Sequence, residues 1–233
     1  MDSSPARPSE PLLSAVVPFL NEADTLPRLV ACLEQELGAL GLPWELVLVD
    51  DGSRDGSLAV ARRELAQRPQ LRATLLSLSR NFGKEAALTA GLMAAAGDVV
   101  VPLDADLQDP PELIGPMLAE WRRGYDVVYA VRRQRAGESR TKRLTAFGFY
   151  RLMGRLSSTA IPADTGDFRL MDRCVVEALG QLPERSRFMK GLFAWVGFRQ
   201  TAIQYDRDAR HGGTSSWNYW KLWNFALDGI TSF

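Results

Sequence analysis

The stretch DVVVPLDADLQDPPEL, Asp98 to Leu113, is an apolar, β-branched run that stops in carboxylates: Asp104, Asp106, Asp109 and, past two prolines, Glu112. An apolar strand giving way to a proline-started helix is part of a repeating strand-helix pattern. From Leu12 to Val131 short β-rich runs (LLSAVVPFL, WELVLVDD, RATLLSLS, DVVVPLDAD, YDVVYAVR) alternate with longer helix-like runs (TLPRLVACLEQELGAL, SLAVARRELAQ, KEAALTAGLMAAA, PELIGPMLAEWRRG). Apolar strands alternating with helices predict a doubly wound α/β domain, whose mostly parallel sheet is covered on both faces. Ligands of such sheets sit outside the carboxyl ends of the strands, near the point where strand order reverses. Three strands end polar: PFLNE at Pro18–Glu22, VDDGS at Val49–Ser53 and PLDADLQ at Pro102–Gln108. Parallel strands bring all three endings to one edge.

The 233 residues suffice for a full core and sit near the upper end of one domain, and 46% apolar with 24% charged residues excludes a mostly disordered chain. Because 28 basic and 28 acidic residues cancel, net charge predicts no nucleic-acid partner. The distribution is uneven: acids gather at Asp50, Asp51, Asp104 and Asp106, whereas Arg132, Arg133, Arg135, Arg140, Lys142 and Arg143 form a basic run. Cys32 and Cys174 lack metal-ligand spacing and read as buried free thiols of a reducing compartment, with a single bridge between them as the alternative. MDSSPARPSEP reads as a flexible tail over residues 1–11, and no run reaches the roughly 18 apolar residues of a membrane span.

Beyond Arg132 the alternation fades. TKRLTAFGFYRLMGRL, Thr141–Leu156, places Phe149, Leu152, Met153 and Leu156 on one helical face with Arg140, Arg151 and Arg155 opposite, although Leu144 and Phe147 fall on the basic side. The segment WNYWKLWNFALDGITSF spaces Trp217, Trp220 and Trp223 three apart. Packing on the sheet and contact with a membrane surface both fit these two segments.

Neither a G-x-G-x-x-G turn nor a Walker lysine loop is present. A divalent cation is the alternative device for holding phosphates: Asp104 and Asp106, with Gln108, make an all-oxygen set that suits Mg2+ or Mn2+. Asp109 reads as the N-cap of the next helix and Glu112 as its first-turn acid. VDDGSRDGS ends its strand in adjacent acids, Asp50 and Asp51, of which at least one suits a ribose or base.

VVPFLNE, VDDGSRDGS, SRNFGKEAAL, DADLQDPPE, DTGDFRLMDR and RDARHGGTSSW together resemble the family 2 glycosyltransferases. The likeness points to the branch of dolichol-phosphate mannose synthases and bacterial polyprenyl-phosphate glucosyltransferases, and spans nearly the whole chain after Glu10. It implies a GT-A fold over residues 12–210 and an aromatic, interfacial segment at 211–233 leading toward transmembrane helices. The implied reaction is inverting transfer of a hexose from a nucleoside-diphosphate sugar, UDP-sugar favoured, to a polyprenyl phosphate at the cytoplasmic face of a membrane.

The resemblance implies that Pro18, Asn21, Glu22 and Asp51 line the nucleoside pocket, with Arg80, Lys84 and Asp104 beside it, and that Asp104, Asp106 and Gln108 hold the metal. Arg132, Arg207, Arg210 and Ser215 are expected at phosphates. Ser216 stands where the family often has lysine, and His211 is a candidate substitute for the missing charge. Asp167, ranked above Asp164, is expected nearest the acceptor as positioning group or base, with Asp106 as the second catalytic acid. A soluble or polysaccharide acceptor, a sugar nucleotidyltransferase, and a nucleotide-sensing or membrane-scaffolding module are the rival readings. No motif fixes the sugar, and a homo-oligomer is compatible with the sequence.

Overall fold

The computed structural model describes residues 7–132, 165–182, 192–193 and 195–205. The amphipathic segment 141–156, the aromatic segment 211–233, Asp164, Arg207, Arg210, His211 and Ser215 lie outside them. Strands are β1 (Leu13–Phe19), β2 (Trp44–Asp50), β3 (Ala73–Ser77), β4 (Val99–Pro102), β5 (Val127–Arg132), β6 (Thr165–Asp172) and β7 (Gln200–Tyr205). Helices are α1 (Leu26–Gly38), α2 (Ser57–Ala66), α3 (Lys84–Ala94), α4 (Ile114–Arg122, entered through a 3-10 turn at Pro111–Leu113) and α5 (Arg173–Gly180).

Among the described residues the strands form one seven-stranded sheet ordered β3-β2-β1-β4-β6-β5-β7. β6 pairs antiparallel with β4 and β5, while the other pairings are parallel, so β6 alone runs against the rest. The order reverses beside β1, with β2 on one flank and β4 on the other.

Alternation along the strands supplies two cores. Leu13, Ala15, Val17 and Phe19 of β1 pack with Leu29 and Leu33 of α1 and with Met117 and Trp121 of α4. Val16, facing the other way, packs with Leu88 and Leu92 of α3 and with Val175 and Leu179 of α5. Buried strand residues therefore read as near-continuous apolar runs. In α1 the spacing of Leu26, Leu29, Val30, Leu33 and Leu37 gives one buried stripe. Each fully buried side chain of this kind contributes about 1.5–3 kcal/mol. α3 crosses β1 closely at Gly91, where a Cβ would lie 2.4 Å from Val16 Cγ1.

The segment read as a tail is already tied down at Arg7. Its guanidinium bonds Asp126 Oδ1 at 2.7 Å and the Tyr125 carbonyl at 3.0 Å, and lies 4.9 Å from the Trp121 ring centre. Asp126 precedes β5 and Asp172 ends the reversed β6, so this clasp sits at the end of the sheet away from the carboxyl ends of the parallel strands. Among the described residues no helix is long and apolar enough to cross a membrane.

Candidate active site

β1 and β4 separate where the strand order reverses. Their ladder ends with Leu103 N–H donating to Val16 O at 2.9 Å, and two residues on, Pro18 faces the same side with no N–H to offer. The crevice that opens there holds about 280 Å3 and is lined by residues including Pro18, Leu20, Glu22, Asp51, Asn81, Gly83, Lys84, Asp104 and Asp106.

Hydrogen bonds from the loop residues to one another fix the walls. Asn21 takes a left-handed conformation (φ 55°) that lets its N–H reach Ser53 Oγ at 2.9 Å, while its side-chain oxygen accepts from Arg54 N–H at 2.9 Å. Glu22 N–H donates to Ser57 Oγ at 2.8 Å. The adjacent acids of VDDGS part company. Asp50 accepts from Ser53 N–H and Ser77 Oγ, closing the turn. Asp51 accepts from Phe82 N–H at 2.8 Å and Gly83 N–H at 3.0 Å, drawing the loop after β3 over the crevice. Gly52 makes that approach possible: at φ +74°, a Cβ there would lie 2.6 Å from the Arg80 carbonyl carbon.

The third wall depends on strand direction. β6 runs against β4 with Val100 opposite Met171, and continuing that register four residues brings Asp104 opposite Asp167. The Lys84 ammonium, rooted at the start of α3, lies 2.6 Å from Asp104 Oδ1 and 2.7 Å from Asp167 Oδ2. Desolvation lowers the Lys84 pKa, but the Asp167 and Asp104 carboxylates outweigh it, and the amine is held charged well above its usual range. Behind Asp167, the buried Arg169 guanidinium stacks 3.7 Å from the Phe193 ring centre, and its Nε–H donates to the Asp167 carbonyl at 3.3 Å. Burial pulls Arg169 down to about 10, opposed by the charges of Asp167, Tyr129 and Glu85.

Of the residues expected around the nucleotide and metal, Pro18, Glu22, Asp51, Lys84, Asp104 and Asp106 line the crevice, and Asp167 reaches it through Lys84. Asn21 does not line it, because its side chain is spent on the Arg54 amide. Arg80 is exposed and lies 4.0 Å over the Phe82 ring. Gln108 turns back on the Asp106 carboxylate, bonding it through both its backbone N–H and its side-chain amide. Arg132 ends β5, while Arg207, Arg210 and Ser215 lie outside the described residues. Leu20, Asn81, Gly83 and Ala105 are lining residues that sequence reasoning missed. The polar SRNFG run after β3 was the signal for two of them.

Asp109 is a correction. Neither Pro111–Leu113 nor α4 carries a side-chain cap, since Pro110 and Pro111 remove amide hydrogens an acid would bind. Asp109 is buried instead. Its carboxyl is pushed up to about 6 by burial and by the Asp104 charge, partly offset by a hydrogen bond from the Asp104 backbone. Glu112 stands in the first turn as expected.

The crevice residues fit a hard cation. Asp104 and Asp106 offer carboxylate oxygens with an amide beside them, and Asp104 Oδ1 already carries a positive group in Lys84. A second set of ligand-type atoms, Asp126, Asp172 and Cys174, lies within 4.8 Å at the far end of the sheet. Arg7 and Trp121 Nε1 already engage its carboxylates, and the Cys174 thiol is pushed up to about 12 by burial and by Asp172. That set is a structural clasp.

A mostly parallel sheet with an acidic crevice at its switch point has the architecture of a GT-A-type nucleotide-sugar transferase. The chain belongs to glycosyl transferase family 2, whose family model matches residues 14–180. It is 55% identical over 221 residues to an uncharacterized glycosyltransferase of Synechocystis sp., covering 95% of this chain and 69% of that protein. It is 43% identical over 221 residues to the bactoprenol glucosyl transferase of Shigella phage SfV, covering 95% and 71%. Among solved structures, glucosyl-3-phosphoglycerate synthase from Mycobacterium tuberculosis, in complex with Mn2+, UDP-glucose and phosphoglyceric acid, shares the fold. The TM-score is 0.59 at 20% identity, covering 95% of this chain and 78% of that one.

Proposed function

We propose that the chain is the catalytic part of an inverting, metal-dependent hexosyltransferase that uses a nucleoside-diphosphate sugar, UDP-sugar favoured, and a polyprenyl phosphate at the cytoplasmic face of a membrane. The observation that carries this reading is the crevice itself, where nucleotide-side Asp51, metal-side Asp104 and Asp106, and acceptor-side Asp167 meet at one sheet edge. Support for the acceptor comes from the 43% identical bactoprenol glucosyl transferase, and support for a metal from the Mn2+ bound by the mycobacterial synthase.

The Asp51-pinned loop and Pro18 orient the nucleoside, placing the diphosphate toward Asp104. Asp104, Asp106 and Gln108 would hold a divalent cation, which would supply Lewis-acid neutralisation of charge on the departing diphosphate. An acceptor phosphate oxygen attacks the anomeric carbon from the face opposite the diphosphate. The new carbon–oxygen bond forms as the old one breaks, the electron pair leaves with the nucleoside diphosphate, and configuration inverts. A phosphate monoester, with second pKa near ~6, is mostly dianionic at neutral pH and needs no strong base. Asp167 is therefore assigned to positioning, tethered by Lys84 and backed by Arg169.

The basic run from Arg132, together with Arg207, Arg210 and Ser215, is assigned to acceptor phosphate and anionic headgroups. The test is a panel of nucleotide sugars with Mn2+ and a short polyprenyl phosphate, scored for nucleoside diphosphate and sugar-lipid. Flotation with anionic liposomes runs in parallel. Transfer only to a water-soluble acceptor would overturn the lipid assignment.

A further inference from the structure

We propose that Lys84 is an internal competitor for the divalent cation at Asp104, and that this competition makes cation and nucleoside diphosphate bind as a pair. The inference rests on the metal assignment made above. Three observations carry it.

The first is position. Lys84 Nζ sits 2.6 Å from Asp104 Oδ1, on a carboxylate assigned to the cation, and two positive groups on one carboxylate repel each other. The second is the second anchor. The same Nζ bonds Asp167 Oδ2 at 2.7 Å, so the ammonium can leave Asp104 without losing every partner.

The third is a fixed root with a free stem. Lys84 opens α3 directly after Gly83, whose N–H is pinned by Asp51, yet its side chain is 45% exposed. A pinned backbone and a four-carbon stem let the charge swing while the helix stays in place.

A cation arriving alone meets the Lys84 ammonium on the same carboxylate and is opposed by its charge, which favours leaving the ammonium with Asp167. Arriving with a diphosphate, it brings anionic oxygens that take up the displaced ammonium. The two ligands then favour each other by the same factor in either order of addition. A lysine serving only as a fixed phosphate ligand makes a different prediction, since removing it would leave the affinity for the cation alone unchanged.

The experiment measures Mn2+ binding to the whole chain by electron paramagnetic resonance of free Mn2+, with and without UDP. Lys84→Met and Lys84→Gln remove the charge, Lys84→Arg keeps it, and Asp104→Asn marks the site. Thermal melts check folding, and two neutral variants guard against loss of one. Both neutral variants should bind Mn2+ alone roughly 10-fold tighter than wild type, within the usual span of coupling between sites. Lys84→Arg should match wild type, and the gain on adding UDP should shrink in the neutral variants. Unchanged or weaker Mn2+ binding in both neutral variants overturns the proposal, as does equal tightening in Lys84→Arg. If wild type binds Mn2+ and Asp104→Asn does not, the metal assignment survives such a failure. If no protein binds Mn2+, the metal assignment falls and the proposal with it.

Discussion

Asp104 and Asp167 are joined through one ammonium, Lys84, because the reversed strand β6 starts where β4 ends. The geometry places the acid proposed for the donor side and the acid proposed for the acceptor side within reach of a single side chain. It also separates their expected mutational phenotypes.

Removing Asp104 or Asp106 should remove metal-dependent transfer. Asp104→Asn and Asp106→Ala are expected to lower kcat/KM by about 10²–10³-fold or more, the range for losing a group that stabilises transition-state charge. Chelation of wild type should have the same effect and be reversed by added Mn2+ or Mg2+. Initial rates of nucleoside diphosphate release, with and without chelator, check this.

Asp167→Asn should be milder, about 10-fold in kcat/KM, because a dianionic phosphate acceptor needs no proton removed. The pH profile of kcat is the discriminating readout. A loss as complete as that of Asp106→Ala, with the acid limb of the profile abolished, would make Asp167 an obligatory base.

Gly52→Ala should damage nucleotide binding without touching an acid. The new Cβ would collide with the Arg80–Asn81 backbone and force a side chain into φ +74°. A cost of about 1–3 kcal/mol is expected for such strain. The loop pinned by Asp51 would be displaced, so UDP affinity by calorimetry should fall more than 10-fold for a strain of about 1.4 kcal/mol or more.

Cys174 supplies a pH dependence remote from the crevice. Its thiol rises from 9.0 to about 12, through burial first and Asp172 second. With the folded value above the unfolded one, the contribution to stability is complete below pH 9.0 and is lost as pH rises toward about 12. A Cys32→Ser background isolates the group. The rate of Cys174 alkylation by iodoacetamide should rise near pH 9.0 once the protein is denatured and stay low there in the folded protein.

β1, β2, β4 and β5 were legible because parallel strands buried on both faces read as near-continuous apolar runs, whereas the half-exposed edge strand β3 and the four helices were legible from their β-rich and helix-like composition. β7, at the sheet edge with an alternating half-exposed pattern, carries no such run, and neither does the short α5. β6 sits inside the DTGDFRLMDR motif, yet nothing in its composition states that it runs antiparallel. The crevice was legible as three polar strand endings. Its use of individual acids was not: Asp50 and Asp51 look equivalent in sequence, and only the approach of Phe82 and Gly83 tells them apart. Asp109 misled for a related reason, since a helix opened by two prolines offers its cap few amide hydrogens.

The clasp of Arg7 on Asp126 and Trp121 settles which way the molecule can be held. Arg7 itself is anchored at the end of the sheet remote from Asp104, so a linker that reaches the fold through Arg7 meets it there. A chain captured on a sensor surface or bead by that route presents its crevice outward, toward nucleotide in solution or a vesicle brought up to it. The same attachment placed near Asn21 or Phe82 would stand in the mouth.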